Sequence, residues 1–362
     1  MGPGVIVEAE RALLGIYATR CVGGRGEGLE RFVPPQRTTW YAYARQALVD
    51  AFKALGVGRR DSVLIPGFIC REVIASLAAV GAIPRFYDVD ERLRGDTSLL
   101  EDAEPHSIGA VLAVNYFGFP QPLDRWRHWC RVKEAVLIED NCHGFLSADG
   151  DIPLGQRGDL GLFNMRKTLT LPNGAALVDN RPESMTPVAK AQSFDGSAVA
   201  SETRFRLKVM AKRIMELAGP ASAPPFITAV RRVRGLAQHF ALSNGGVDHE
   251  TDIPREAIAI LTPHVLGQLD IAAESTRRRT LYRHCQRLFS DVADVRPLHG
   301  ELPDGVVPQG FPFLFMGSDQ RQFLIEWWQR GIQVVQWPDL PAAVEATAPD
   351  HYRRVMLVPF AW

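Results

Sequence analysis

The chain has 362 residues, 46% apolar and 23% charged, which excludes a wholly disordered polymer and suffices for a sizeable core. Its 41 Lys and Arg residues balance its 41 Asp and Glu residues, so no global field favours nucleic acid or a membrane surface. Five scattered cysteines, an odd number with no CxxC pair, argue against a disulfide framework and a structural zinc site.

Residues 1–35 read as an N-terminal arm. Glu8 and Glu10 stand where a signal peptide would be apolar. The glycine-rich stretch Gly23 to Gly28 reads as an entry loop rather than a phosphate cradle, because no clear strand leads into it. From Thr38 the pattern sharpens. Tyr43 to Leu55 has apolar residues at helical spacing and stops at Gly56. Ser62 to Pro66 reads as a strand, Glu72 to Val80 as a helix, and Pro84 to Val89 as a strand. Ile108 to Val114 is a further strand, Leu123 to Glu134 a helix, and Ala135 to Ile138 a strand running into Glu139 and Asp140. Leu160 to Asn164 and Ala175 to Val178 complete the series. Such alternation predicts an α/β fold with a mostly parallel central sheet and helices on both faces. Asp140 then lies at a strand's C-terminal end, where open α/β sheets bind ligands.

Between Ser201 and Gly235 stand eight basic and two acidic residues, which read as a solvated helical face. Ser243 to Glu250 reads as a linker. A helix from Leu261 to His284 follows, then strands at Gly310 to Met316 and Ile332 to Gln336 with a helix from Arg321 to Arg330 between them. This is a smaller α+β unit. The longest apolar run, Ile108 to Phe119, contains Asn115 and is too short to span a bilayer. The expected protein is soluble, reduced and cytoplasmic.

Chemistry concentrates between Leu137 and Val178. A carboxylate, Asp140, ends one strand, and a lysine, Lys167, follows another in a short loop. In a parallel sheet both can enter one cleft. Imine chemistry uses such a pair: an amine to hold an aldehyde and a carboxylate to keep a pyridine nitrogen protonated. Both residue types also occur at strand ends merely solvated. The histidines are dispersed and offer no metal-ligand spacing.

The run Ile138-Glu139-Asp140-Asn141-Cys142-His143-Gly144 resembles a segment of the DegT/DnrJ/EryC1/StrS aminotransferases. Similar segments follow in family order: Ala44 to Leu48 into Ala54 to Val57, Asp61 to Pro66, Gly81 to Asp90, Asn115 to Gly118, and Gly158 to Asn164 ahead of Lys167. Gly267 to Asp270 with Arg278, and Arg330 to Ile332 with Trp337-Pro338, resemble the family's small domain. The resemblance covers residues 38 to 345.

It implies the fold of pyridoxal phosphate (PLP) enzymes of type I, with a PLP-binding domain over residues 36–245 and a small α+β domain over 246–362. It implies Lys167 as the Schiff-base lysine, Asp140 as the partner of the pyridine nitrogen, and His143 near the ring hydroxyl. Ala44 and Arg45 match the turn whose backbone amides hold the phosphate, and Asn164 matches a serine that also contacts it. Cys70 stands where many members place an aromatic on the ring, with Phe117 or Tyr116 as other candidates for that stack. The implied reaction moves an amino group from an amino acid, expected to be glutamate, to a keto sugar that is nucleotide-linked in some members. A homodimer is implied too. Two alternatives stay open: another PLP-dependent reaction, an elimination or substitution, and a non-catalytic binding protein, which Arg45 for threonine and the absence of the motif by which a neighbouring subunit reaches the cofactor motivate.

Overall fold

The computed structural model describes residues 23–59, 61–100, 108–182, 253 and 255–360, and six helical positions between 202 and 210. The basic segment 201–235, apart from those six positions, and the stretch 243–250 lie outside the described residues. The main sheet is built from β1 (Thr38–Tyr41), β2 (Ser62–Pro66), β3 (Ile83–Tyr87), β4 (Ile108–Val114) and β5 (Val136–Asp140). After a small hairpin of β6 (Ala148–Asp149) and β7 (Ile152–Pro153), β8 (Leu160–Asn164) and β9 (Ala175–Asp179) complete it. The seven strands lie in the order β1-β9-β8-β5-β4-β2-β3. β8, β5, β4, β2 and β3 are mutually parallel, and β9 runs antiparallel between β8 and β1. Every residue of β2 is buried, as is every residue of β4 except Gly109, which is half-buried. Apolar runs of this kind belong to strands covered on both faces.

Three helices pack on this sheet: α1 (Ala44–Ala54), α2 (Arg71–Val80) and α3 (Asp124–Lys133). Helix α1 buries Ala47, Leu48, Ala51 and Phe52, the stripe predicted from spacing, against α2, β8 and β9. Fully burying Phe52 contributes about 1.5–3 kcal/mol, so this stripe fixes where the N-terminus of α1 points.

The C-terminal part carries α4 (Leu261–Leu266), α5 (Ile271–Phe289) and α6 (Gln320–Gln329). Its antiparallel sheet is made of β10 (Val295–Pro297), β11 (Gly310–Phe315), β12 (Val335–Gln336) and β13 (Val355–Pro359), in the order β10-β11-β13-β12. The single helix expected from Leu261 to His284 is two. It breaks at Gly267–Asp270, where the Asp270 side chain accepts from the Ala273 amide at 2.9 Å and caps α5. The glycine-rich stretch docks at this break: the Gly23 and Gly24 amides both donate to the Gln268 carbonyl, at 2.9 and 3.1 Å.

Trp337 joins the two sheets. Its ring meets Phe68, Phe117 and His143 edge-on at 5.3, 5.2 and 4.9 Å. Trp327 and Trp328 are core residues. No helix among the described residues is long and apolar enough to cross a membrane.

Candidate active site

Asp140 is the last residue of β5, and Leu162 of β8 is its register partner. Two residues beyond Leu162, β8 ends at Asn164 and turns through Met165–Lys167. Adjacent parallel strands therefore deliver the acid and the amine to the same edge of the sheet. Both line one cavity of about 260 Å³. Ala44, Arg45, Cys70 and Asn164 line it as well, so six of the seven expected site residues meet there. The seventh, His143, is not among the lining residues; its Nε2 lies 3.2 Å from Lys167 Nζ.

The lysine loop is held from three directions. Met165 is buried, its amide donates to the Gly174 carbonyl at 3.1 Å, and its own carbonyl accepts from Thr168 and Leu169. Gly174 has φ +143°, and a Cβ there would stand 2.8 Å from Thr262, so only glycine fits. The Thr168 carbonyl accepts from the guanidinium of Arg278, which is fully buried in α5. Arg278 also donates to Glu274 at 2.7 Å and to the Pro308 and Gln309 carbonyls at 3.2 Å.

Burial disfavours the Lys167 ammonium, while the Asp140 and Glu72 carboxylates beside it favour that charged form. The His143 ring is pushed well below its ordinary value by burial and by Lys167, so it is neutral near pH 7. The thiols of Cys70 and Cys142 are pushed up, chiefly by burial, and stay protonated.

Asp140 is oriented by its own chain. One carboxylate oxygen, Oδ1, accepts from the Cys142 amide at 2.9 Å. The preceding residue, Glu139, is fully buried on the opposite side of the strand. Its oxygens accept from Arg157 at 2.7–2.8 Å and from Asn115 at 2.8 Å. That pairing compensates a charge whose isolated burial would be prohibitive, and it anchors the strand end that carries Asp140.

The far corner of the cavity is the N-terminus of α1. Tyr43 precedes the helix without a side-chain capping bond, and its amide donates to Gln46 Oε1 at 3.1 Å. The guanidinium groups of Arg45 and Arg166 lie 5.8 and 5.3 Å from the Tyr43 ring centre, and both residues line the cavity. A helix N-terminus flanked by two guanidinium groups is an anion site in its chemistry.

Cys70 occupies its expected place just before α2. Tyr116 and Phe117 are not among the lining residues. The Tyr116 hydroxyl donates to the Phe68 carbonyl at 2.6 Å, and Phe117 stacks on His143 at 5.6 Å and 14°. Neither ring supplies a stack inside the cavity. Glu72, in the first turn of α2, lines the cavity and was not singled out from sequence. Its place just beyond the C-terminal end of β2 is the signal that could have found it.

Comparison with known proteins gives this geometry a family. Residues 36–218 match the DegT/DnrJ/EryC1/StrS aminotransferase family. L-glutamine:scyllo-inosose aminotransferase of Streptomyces griseus is 30% identical over 259 residues, 70% of this chain and 59% of that protein. GDP-perosamine synthase of Vibrio cholerae is 26% identical over 169 residues, 44% of this chain and 46% of that protein. The matches thus span about half of these curated relatives' length. Among solved structures, Helicobacter pylori PseC, an aminotransferase involved in pseudoaminic acid biosynthesis, aligns over 97% of this chain and 90% of its own, with a TM-score of 0.61 at 18% identity. Spr1654 from Streptococcus pneumoniae, solved in a PLP form, aligns over 98% of this chain and 91% of its own, with a TM-score of 0.63 at 15% identity. The fold is that of these aminotransferases, and the chain belongs to the DegT/DnrJ/EryC1/StrS aminotransferase family.

Proposed function

We propose that this chain is a PLP-dependent aminotransferase that passes an amino group from glutamate or glutamine to the keto group of a sugar or sugar-like ring. One observation carries the reading: Lys167 and Asp140 line the same cavity, with an anion-binding corner beside them. This donor set fits PLP, which has an aldehyde, a pyridine nitrogen and a phosphate. Bound there, the cofactor supplies an electron-withdrawing ring that stabilises negative charge at the donor's α-carbon.

The chain's own residues do the rest. Lys167 Nζ would hold the aldehyde carbon and would serve as the base that moves a proton to and from the donor's α-carbon. The Asp140 carboxylate, held by the Cys142 amide, keeps a proton on the ring nitrogen. Ala44 and Arg45 at the start of α1, with Arg166 and Asn164, hold the phosphate. His143 would donate its one N–H, on Nε2, toward Lys167 and would stand near the ring hydroxyl. Leu48, Val73, Leu162 and the protonated Cys70 thiol form the walls that exclude water. Residues 36–245 form the cofactor-binding domain and 246–362 the small domain of a cytoplasmic homodimer.

Support for the substrate class comes from the relatives, named for amino transfer to scyllo-inosose and for perosamine synthesis. The test is a half-reaction. Protein loaded with PLP is mixed with L-glutamate or L-glutamine, and loss of the visible band and release of a 2-oxo acid are followed. The expected result is stoichiometric 2-oxo acid and return of the band on adding a keto sugar or keto inositol. An unchanged spectrum with every amine would refute the reading.

A further inference from the structure

A second cleft, of about 570 Å³, lies between the turn after β3 and the segment that follows β10. Three arginines line it: Arg92 and Arg94 from the turn, and Arg296 from β10. Arg296 is engaged by Glu91 at 2.6 Å, a pair that joins the two sides. Among the described residues no acid forms an ion pair with Arg92 or Arg94. Glu301 is the remaining acid of the lining, so the cleft keeps a positive excess.

The backbone that carries Arg92 and Arg94 is held firmly. Asp90 Oδ1 accepts from the Arg92 and Arg94 amides, both at 2.8 Å. Between them Leu93 is fully buried, with φ +59° and its carbonyl held by Gln121 Nε2 at 2.6 Å. The opposite wall is equally fixed. His299 stacks on Phe119 at 3.7 Å and 12°, and its carbonyl accepts from the Tyr282 hydroxyl at 2.8 Å. Burial, then Arg94 and Arg92, lower the His299 pKa to about 4. At neutral pH this side chain offers a hydrogen bond rather than a charge.

Two guanidinium groups on a fixed backbone, beside a neutral imidazole, suit the oxygens of an anion with several acceptors. The volume falls in the usual range for small-molecule sites, roughly 300–1,000 Å³, and exceeds what a single phosphate fills. Leu298 and Leu314 add apolar surface. We propose that this cleft is a second ligand site, distinct from the Lys167 cavity, that binds a diphosphate group bridging the Arg92–Arg94 turn and the β10 side. It is independent of the PLP reading.

The test is calorimetric titration of PLP-loaded protein at pH 7.5 with pyrophosphate, uridine diphosphate and uridine. Saturable binding of both diphosphates without binding of uridine is expected. Tighter binding of uridine diphosphate than of pyrophosphate would show a nucleotide source; equal binding would show that the diphosphate alone is read. Arg92→Ala and Arg94→Ala should each weaken binding about tenfold, and Arg45→Ala should leave it unchanged. Absence of pyrophosphate binding, equal binding by the Arg92 and Arg94 variants, or loss in Arg45→Ala would each overturn the proposal. None of these results touches the chemistry assigned to Lys167.

Discussion

Lys167 Nζ sits 3.2 Å from His143 Nε2, and the other ring nitrogen, Nδ1, accepts from the Phe117 amide at 3.3 Å. A backbone amide can only donate, so the hydrogen-bond partners assign the proton of this neutral ring to Nε2. That proton points at Lys167, and only a lysine nitrogen with a lone pair can receive it. The acids around the cavity favour the ammonium, whereas His143 favours the neutral amine that attacks a carbonyl. His143→Leu should therefore shift the pH at which PLP is captured upward, by about 0.5–1 unit for one hydrogen bond. His143→Gln, which can still donate, should shift it less. Visible absorbance against pH measures both; an unshifted leucine variant would remove the role.

Asp140→Asn keeps the shape and loses the charge. The variant should still take up PLP, but the half-reaction with glutamate should slow by about 10²–10³-fold, the scale of removing one preorganised electrostatic partner. Stopped-flow spectra would measure this, and a near-normal rate would contradict the pairing of Asp140 with the ring nitrogen.

The two guanidinium groups by Tyr43 should recognise phosphate alone. Arg45→Ala and Arg166→Ala should each weaken PLP binding about tenfold, yet bind pyridoxal, which has no phosphate, as the unaltered protein does. Parallel losses for both ligands would instead point to a distorted cavity.

Behind the lysine loop, Glu274 has its pKa lowered: burial would raise it, but Arg277 and Arg278 outweigh burial. Its folded value lies below its unfolded one, so its contribution to stability is complete above the ordinary carboxylate value of about 4.3. The contribution fades as pH falls through the depressed folded value. Glu274→Gln should flatten this acid limb of the thermal-midpoint curve. Arg278→Met leaves Glu274 without one of its two arginine partners and the Thr168 carbonyl without this donor, at a cost of about 3–5 kcal/mol. Denaturant titration checks the second expectation.

The strands that carry the site were legible because they are short, apolar and bounded by glycine, proline or acids. Asp140, Lys167, Cys70 and the start of α1 could be placed from order along the chain. Periodicity alone did not reveal the break between α4 and α5, since Gly267–Asp270 interrupts apolar spacing that resumes in phase. β1, the β6–β7 hairpin, β10 and β13 also escaped: β1 is an edge strand whose partner β9 is distant in sequence, and β6 and β7 are too short to show a period. The aromatic stack expected of Tyr116 or Phe117 depended on ring direction, which tertiary packing against Phe68 and His143 decides. Arg278 drew notice only as part of a resemblance, because its link to the Thr168 carbonyl crosses 110 residues.

The most direct measurement is to load the protein with PLP, reduce it with borohydride and map the modified residue by peptide mass spectrometry. The account predicts a single phosphopyridoxyl group on Lys167, absent from Lys167→Ala. A label on another lysine, or none, would contradict it.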